Sequence, residues 1–387
     1  MREPEALEPY RHWTPEPSPD APAFFVVGVA MRLVKLKISS LRCFRDVELE
    51  LSPGINAFVG PNGAGKTSLL EAAFVLSHGR SFRSGARDAL IRRGERSLGI
   101  FAEVLHADGR LDRLGMGKDG VHWQARLNFE GCSVAELLGR CAVVSFDPGS
   151  HALISGGAEE RRRFLDWGVF HVEHTFLELW RRYQRALKQR NSLLRNKQSD
   201  NALFAPWEHE LDESAANIDR LRRSYLDRLA PVLAQSVATL LPELGELSLR
   251  YRPGWSEHGT LREQLASSRG RDLSKGHTTI GPHRADWQIA FAHAPAREHL
   301  SRGQEKLTAL ACLLAQAGLF SEERGEWPIV CIDDLASELD RAHQAALVEQ
   351  LRVADAQVLV TGTELPASLD PQARVFHVEQ GVATPLL

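Results

Sequence analysis

The sequence contains no apolar run approaching the roughly 18 residues of a membrane-spanning helix, so no anchorage by such a helix is expected. Cysteine is scarce: Cys43, Cys132, Cys141, Cys312 and Cys331 form no C-x-x-C pair and have no histidine at metal-ligand spacing. That spacing speaks against a zinc module and against a disulfide framework. Each cysteine stands among apolar neighbours, which predicts buried, reduced thiols and a cytoplasmic chain. An excess of one charge is missing too, because 47 basic and 50 acidic side chains leave a net charge of −3. No global basic field advertises nucleic acid, and any such surface has to be local. The opening Pro- and Glu-rich stretch, MREPEALEPYRHWTPEPSPDAPA, lacks the apolar content of a core. A short apolar run at 23–30 follows acids instead of bases, unlike a signal peptide. Residues 1–30 are therefore expected to be a flexible leader, with Met31 as an alternative start.

What is present is organised around Gly60-Pro61-Asn62-Gly63-Ala64-Gly65-Lys66-Thr67, a match to G-x-x-x-x-G-K-[ST]. The residues before it, 54–59, read as a short buried strand, and 68–76 have the apolar spacing of a helix packed on a sheet. Strand, glycine loop and helix are the setting a phosphate-binding loop requires. Glycines let backbone N–H groups curl around phosphate oxygens, and the helix N-terminus adds partial positive charge. Lys66 would reach the β- and γ-phosphates, the Thr67 hydroxyl would take one Mg²⁺ position, and Ser68 belongs with them to the nucleotide-binding set. These residues predict binding of ATP with Mg²⁺. Arg45, in the hairpin ahead of the loop, is a further nucleotide candidate, because that β-subdomain could lie along the ligand.

A chain of 387 residues is long enough for two or three domain-sized units. From Met31 two alternating stretches read as a β-hairpin, and 98–129 as further antiparallel strands with Asp108-Gly109 and Asp119-Gly120 as turns. Residues 142–146 read as a short buried strand. At Ala158 the period changes, and 158–198 and 207–242 read as two long polar helices joined by a Ser-Asp-Asn turn. Between Arg161 and Lys197 ten bases face three acids, a local excess of seven. A solvated helix face and a phosphate-backbone surface are both open readings of that excess. The last third returns to α/β, so the chemistry is split between the chain's ends with a helical insert between them. The expected division is 31–150 and 272–387 for the ATPase lobe, with 151–271 as a helical arm.

Four apolar residues, Ile329-Val330-Cys331-Ile332, lead into Asp333 and Asp334. A strand end fixes Asp333 beside the phosphate loop as a second Mg²⁺ ligand with Thr67, and Asp334 is placed to orient or deprotonate the attacking water. Lys66, Asp333 and Asp334 are the catalytic candidates. Leu300-Ser301-Arg302-Gly303-Gln304 resembles the ABC-type signature LSGGQ, in which a serine hydroxyl, a glycine N–H and a helix N-terminus form a second anion site. A capped helix accounts for Ser301 but not for the Gly303-Gln304 pair. Ser337-Glu338-Leu339-Asp340 resembles the D-loop of the same superfamily. Two expected parts are missing. Thr361 and Thr363 stand near where a switch histidine belongs, and no Q-loop glutamine lies near Phe146-Asp147-Pro148, which points to slow, switch-like hydrolysis.

LRCFRDVELELSPGINAFVGPNGAGKTSLLEA, SHGRSFRS, ERRRFLDWGVFH, LKQRNSLLR, GPHRAD, LSRGQEKL and IDDLASELD, in that order, resemble the RecF family of SMC-like ABC-type ATPases. The resemblance covers the chain from about Met31 onward. It implies an ABC-type P-loop ATPase head, lobe I, with an inserted, mostly helical short-arm lobe II. It also implies an ATP-dependent head-to-tail homodimer, in which Ser301, Gly303 and Gln304 serve the opposite subunit's nucleotide. Duplex DNA near single-strand gaps is the implied substrate surface, and RecR, with RecO and RecA, the implied partners in repair, replication-fork recovery and the SOS response. DNA phosphates would meet Arg80, Arg83 and Arg87 of lobe I and Arg181, Arg185, Lys188 and Arg190 of the arm. A transporter's nucleotide-binding subunit is the chief alternative, opposed by the basic insert and the absent histidine. An SMC-like ATPase serving a nuclease is the other.

Overall fold

The strand that feeds the phosphate loop, Ile55–Val59, lies inside a six-stranded sheet. The order is Val143–Phe146, Ile329–Ile332, Val358–Gly362, Ile55–Val59, Arg374–Glu379 and Val382–Leu386. All pairings are parallel except the final hairpin. A parallel sheet covered on both faces needs continuous apolar strands, which is why Ile329–Ile332 and Val358–Gly362 are buried throughout. Asn56 is the polar exception in its strand. It is fully buried, and its amide donates to the Ser52 and Gly54 carbonyls while its oxygen accepts the Ser52 N–H. The helix Lys66–His78 covers this sheet and is buried on nearly every side, ending on the left-handed Gly79.

The computed structural model describes residues 11–13, 29–83, 90–198, 200–294, 296–364 and 372–386. It divides into two units, Ser18–His151 with Lys306–Leu387, and Ala152–Glu305 with the first residues of the chain. The first unit also holds an antiparallel sheet in the order Phe44–Glu50, Arg32–Leu41, Ser97–Leu105, Leu111–Asp119, His122–Leu127 and Glu130–Cys132. Its strands alternate, with Leu36, Ile38, Ile100, Ala102, Leu114 and Met116 facing inward. The turns fall at Asp108-Gly109 and Asp119-Gly120, as their sequence signals.

The second unit is mostly helical. Where one helix over 158–198 was expected, there are two, Ala158–Val172 and Phe176–Arg195. Glu173 leaves the helical conformation at φ −115, ψ 102, and its carboxylate takes the Arg228 guanidinium at 2.5 Å. The helix expected from 207 instead spans Asn201–Leu240, with Pro206 inside it. Proline forfeits one backbone bond there. The turn ahead of it is held by the Asp200 carboxylate, which accepts the Ala202 N–H, and by Phe204, buried under the Arg190 and Arg269 guanidinium groups.

This unit runs to Glu305, beyond the boundary expected at 271. The reason is a strand pair. Asp286–Phe291 lies antiparallel to Leu247–Arg252, and Asp286 receives Arg161 at 2.7 and 3.2 Å. Two parts of the expected leader are ordered as well. Arg11–Trp13 adds antiparallel to Leu249, Arg250 and Tyr251 in the second unit, and Val29–Ala30 pairs with Glu326–Trp327 in the first. No helix among the described residues is long and apolar enough to cross a membrane.

Candidate functional site: a phosphate and metal seat

The loop's glycines are fixed by close approach. A Cβ on Gly60 would stand 2.0 Å from the Val378 carbonyl oxygen. Gly65, at φ +115, would put one 2.5 Å from the Cys43 sulfur and 3.0 Å from the Phe44 ring, so only glycine fits. Lys66 follows at the helix start and is only 9% exposed. It folds back onto its own loop, donating to the Gly60 carbonyl at 2.7 Å and the Pro61 carbonyl at 2.9 Å. Burial pulls its pKa below the ordinary lysine value, against Asp334 and Asp333, whose charges pull it up.

Across the cavity the end of Ile329–Ile332 delivers Asp333. The Thr67 hydroxyl donates to its Oδ1 at 2.9 Å, and the Thr361 hydroxyl donates to the same oxygen at 2.7 Å. Asp334 follows in the left-handed conformation, φ 56, ψ 50, and its N–H donates to the Thr361 hydroxyl at 2.9 Å. These groups share one cavity of about 390 Å³ with Asn62, Gly63, Gly65, Ser68 and Pro148. Gly60, Pro61 and Ala64 shape the loop from behind its lining. Thr361 and Thr363 separate clearly, since Thr361 is buried against the Asp333 carboxylate and the Asp334 backbone and Thr363 is exposed.

Arg45 is exposed on the strand Phe44–Glu50 and is not part of the cavity wall. Its neighbours Arg42 and Cys43 are, and the sequence did not single them out for this role. Arg42 is held by two bonds to Glu71, at 2.8 and 2.6 Å, and Ser81 donates to the same carboxylate. Glu71 is fully buried in the helix that follows the loop. An acid on the buried face of that helix requires a cation, and that was the available signal. Cys43 corrects the expectation of five buried thiols, because it is exposed and Cys132 is half-buried. Burial of part of its surface raises the Cys43 pKa, so it stands as a thiol.

Where a Q-loop glutamine was sought, Asp147 sits after Phe146 and accepts from the Gly149 N–H and the Ser150 hydroxyl. Burial, reinforced by the charges of Asp333 and Glu338, raises its pKa to about 6. In the signature segment, Ser301 and Gln304 form a reciprocal cap, the hydroxyl accepting the Gln304 N–H and the amide oxygen accepting the Ser301 N–H. Capping therefore explains Gln304 as well as Ser301. It does not explain Gly303, which is exposed and where a Cβ would meet nothing nearer than 3.9 Å. Asp340 caps the helix Arg341–Val353, and Glu338 receives Lys306 at 2.8 Å.

The basic candidates divide. Arg181, Arg185 and Lys188 are exposed on one side of Phe176–Arg195. Arg190 is not a surface residue. It is wholly buried, donating to Glu208, Asp272, Thr278 and the Leu265 carbonyl. Part of the expected basic excess is paired within the chain, Arg161 with Asp286 in the interior and Arg163 with Glu159 and Glu160, and Arg182 with Glu210, at the surface. Arg83 lines the same cavity as Lys66 and Asp333, and the Arg80 guanidinium lies over the Phe74 ring at 5.8 Å. Arg87 lies outside the described residues.

Residues 32–384 match the family model for the RecF/RecN/SMC N terminal domain. The chain is 49% identical over 368 residues to the DNA replication and repair protein RecF of Stenotrophomonas maltophilia, covering 92% of this chain and all of that protein. The RecF of Azotobacter vinelandii is 41% identical, covering 92% and 98%. Among solved structures, the recombination mediator protein RecF with ATP, from the RecFOR pathway, superposes with a TM-score of 0.85 at 26% identity, covering 93% of this chain and 99% of that one. The Smc head domain from Pyrococcus furiosus, at 15% identity and a TM-score of 0.53, shares the fold.

Proposed function

Because the chain belongs to the RecF family of DNA replication and repair proteins, we propose that it is an ATP-driven recombination mediator. It binds ATP with Mg²⁺, closes as a homodimer on duplex DNA beside single-strand gaps, and reopens after slow, DNA-stimulated hydrolysis. The observation that carries this reading is the seat of Lys66, Thr67 and Asp333 in one cavity. A hydroxyl and a carboxylate are hard oxygen donors, the kind Mg²⁺ takes together with phosphate oxygens and water. Bound there, Mg²⁺ supplies charge neutralisation on the phosphates. Lys66 exchanges the loop's carbonyls for phosphate oxygens, Asp333 holds the metal side, and Asp334 orients or deprotonates the attacking water.

Gly303 supports the dimer. A glycine with neither a backbone nor a packing reason in its own chain leaves room for a ligand from outside, here the partner subunit's nucleotide. The exposed face of Arg181, Arg185 and Lys188 supports sequence-independent phosphate contacts. RecR is the proposed direct partner, with RecO and RecA in the same cytoplasmic pathway of gap repair and SOS signalling.

Light scattering with and without ATP, Mg²⁺ and duplex DNA tests the reading. The mass should double with ATP and rise further with DNA, and neither change should occur in Lys66→Ala, which removes the phosphate ligand. Nucleotide titration supplies the second arm, and wild-type affinity in Lys66→Ala would overturn the loop assignment.

A further inference from the structure

Asp333 Oδ1 receives two hydroxyl protons at once, from Thr67 and from Thr361. Thr67 belongs to the phosphate loop. Thr361 reaches the carboxylate from the neighbouring strand, Val358–Gly362, where it is 2% exposed. A hydroxyl offers one proton and two lone pairs. Thr361 directs its proton to Asp333 and accepts the N–H of Asp334 on a lone pair. One side chain therefore holds both acids of the site, the first by its carboxylate and the second by its backbone.

Two consequences follow from the geometry. Both lone pairs of Oδ1 are engaged, so Oδ2, which no donor among the described residues reaches, is the oxygen left for a metal or its water. The backbone of Asp334 is also pinned at φ 56, the turn that carries the chain from Ile329–Ile332 into the helix Leu335–Glu338 and sets Asp334 in the cavity wall. Thr363, exposed beyond the strand, makes neither contact.

We propose that Thr361 is a positioning residue for the nucleotide-bound metal, acting through Asp333 and Asp334 instead of touching phosphate as a switch histidine would. The inference rests on the ATP and Mg²⁺ reading given above. Groups that orient metal ligands from behind change metal affinity by about 10- to 100-fold when removed. Thr361→Val keeps the β-branched shape of the strand and removes both bonds. Thr361→Ser keeps the hydroxyl.

The test measures nucleotide affinity in EDTA and in Mg²⁺, and Mn²⁺ affinity of the nucleotide complex by electron paramagnetic resonance. Thr361→Val should match wild type in EDTA and bind Mn²⁺ about 10-fold or more weakly, while Thr361→Ser should stay within about threefold of wild type. A merely structural role would lower the melting temperature without separating metal affinity from metal-free nucleotide affinity. If Thr361→Val does not fold, Thr361→Ala takes its place in the same comparison. Wild-type Mn²⁺ affinity in the hydroxyl-free variant overturns the positioning role alone. A wild-type protein that binds no nucleotide, or binds it without regard to metal, overturns the ATPase reading and this inference together.

Discussion

Arg190→Ala separates a surface arginine from an internal one. In the structure its guanidinium has no exposure and bonds Glu208 at 3.1 Å, Asp272 at 2.8 Å, Thr278 at 2.8 Å and the Leu265 carbonyl at 3.0 Å. Removing one member of a buried ion pair costs about 3–5 kcal/mol, because the remaining charge keeps its desolvation penalty. Here the two acids retain other donors. Glu208 keeps Arg269 at 2.6 Å, and Asp272 keeps the Thr279 hydroxyl at 2.6 Å. That argues for the lower end, about 3 kcal/mol. In a unit of this size each kcal/mol moves the melting temperature by about 2–4 °C, so the transition should fall by roughly 6–12 °C. Differential scanning calorimetry reads the shift, and DNA binding measured well below the transition should be unchanged. A variant that melts with wild type but loses DNA affinity would refute the argument and return Arg190 to the DNA surface.

Replacing Arg181, Arg185 and Lys188 together by Glu should leave ATP affinity and melting temperature alone and remove most DNA affinity. The slope of log affinity against log salt should flatten by about 2.7, three phosphate contacts at about 0.9 each; an unchanged slope would move the DNA surface elsewhere. Asp147 predicts a pH effect in the nucleotide-free protein. Its pKa is raised from 3.8 to about 6, so the stability it contributes is full below about pH 4 and is lost as pH rises through 6. Asp147→Asn cannot ionise and should gain on wild type by on the order of 2–3 kcal/mol between pH 4 and pH 7; urea midpoints that differ equally at both pH values would contradict this.

The phosphate loop, both acids after Ile332 and the strands around them were legible because each is a local pattern. A glycine turn between strand and helix, and an apolar run ending in acids, carry their meaning within about ten residues. Most of the failures are non-local. Arg190 reads as one more base on a charged helix, since Glu208 and Asp272 come later in the chain and meet it only after folding. Arg42 is likewise silent until Glu71 is seen to be buried. The break at Glu173 depends on Arg228, which lies 55 residues later in Asn201–Leu240 and meets it only after folding. Gln304 failed in the other direction, because its capping bond to Ser301 was local and available in the S-x-x-Q spacing.

The sheet order also dictates a sequence of events during synthesis. Ile55–Val59 lies between Val358–Gly362 and Arg374–Glu379, so the phosphate-loop strand has neither neighbour until the last part of the chain has left the ribosome. Ala152–Glu305 is nearly contiguous and can gather its helices while that strand is still waiting. Until the C-terminus arrives, an apolar strand with two open edges is held in an unfinished chain, the state in which strands pair wrongly or aggregate. Loss of the final residues from Arg374 onward would thus remove a sheet partner of the nucleotide loop, although no residue of the loop itself is touched.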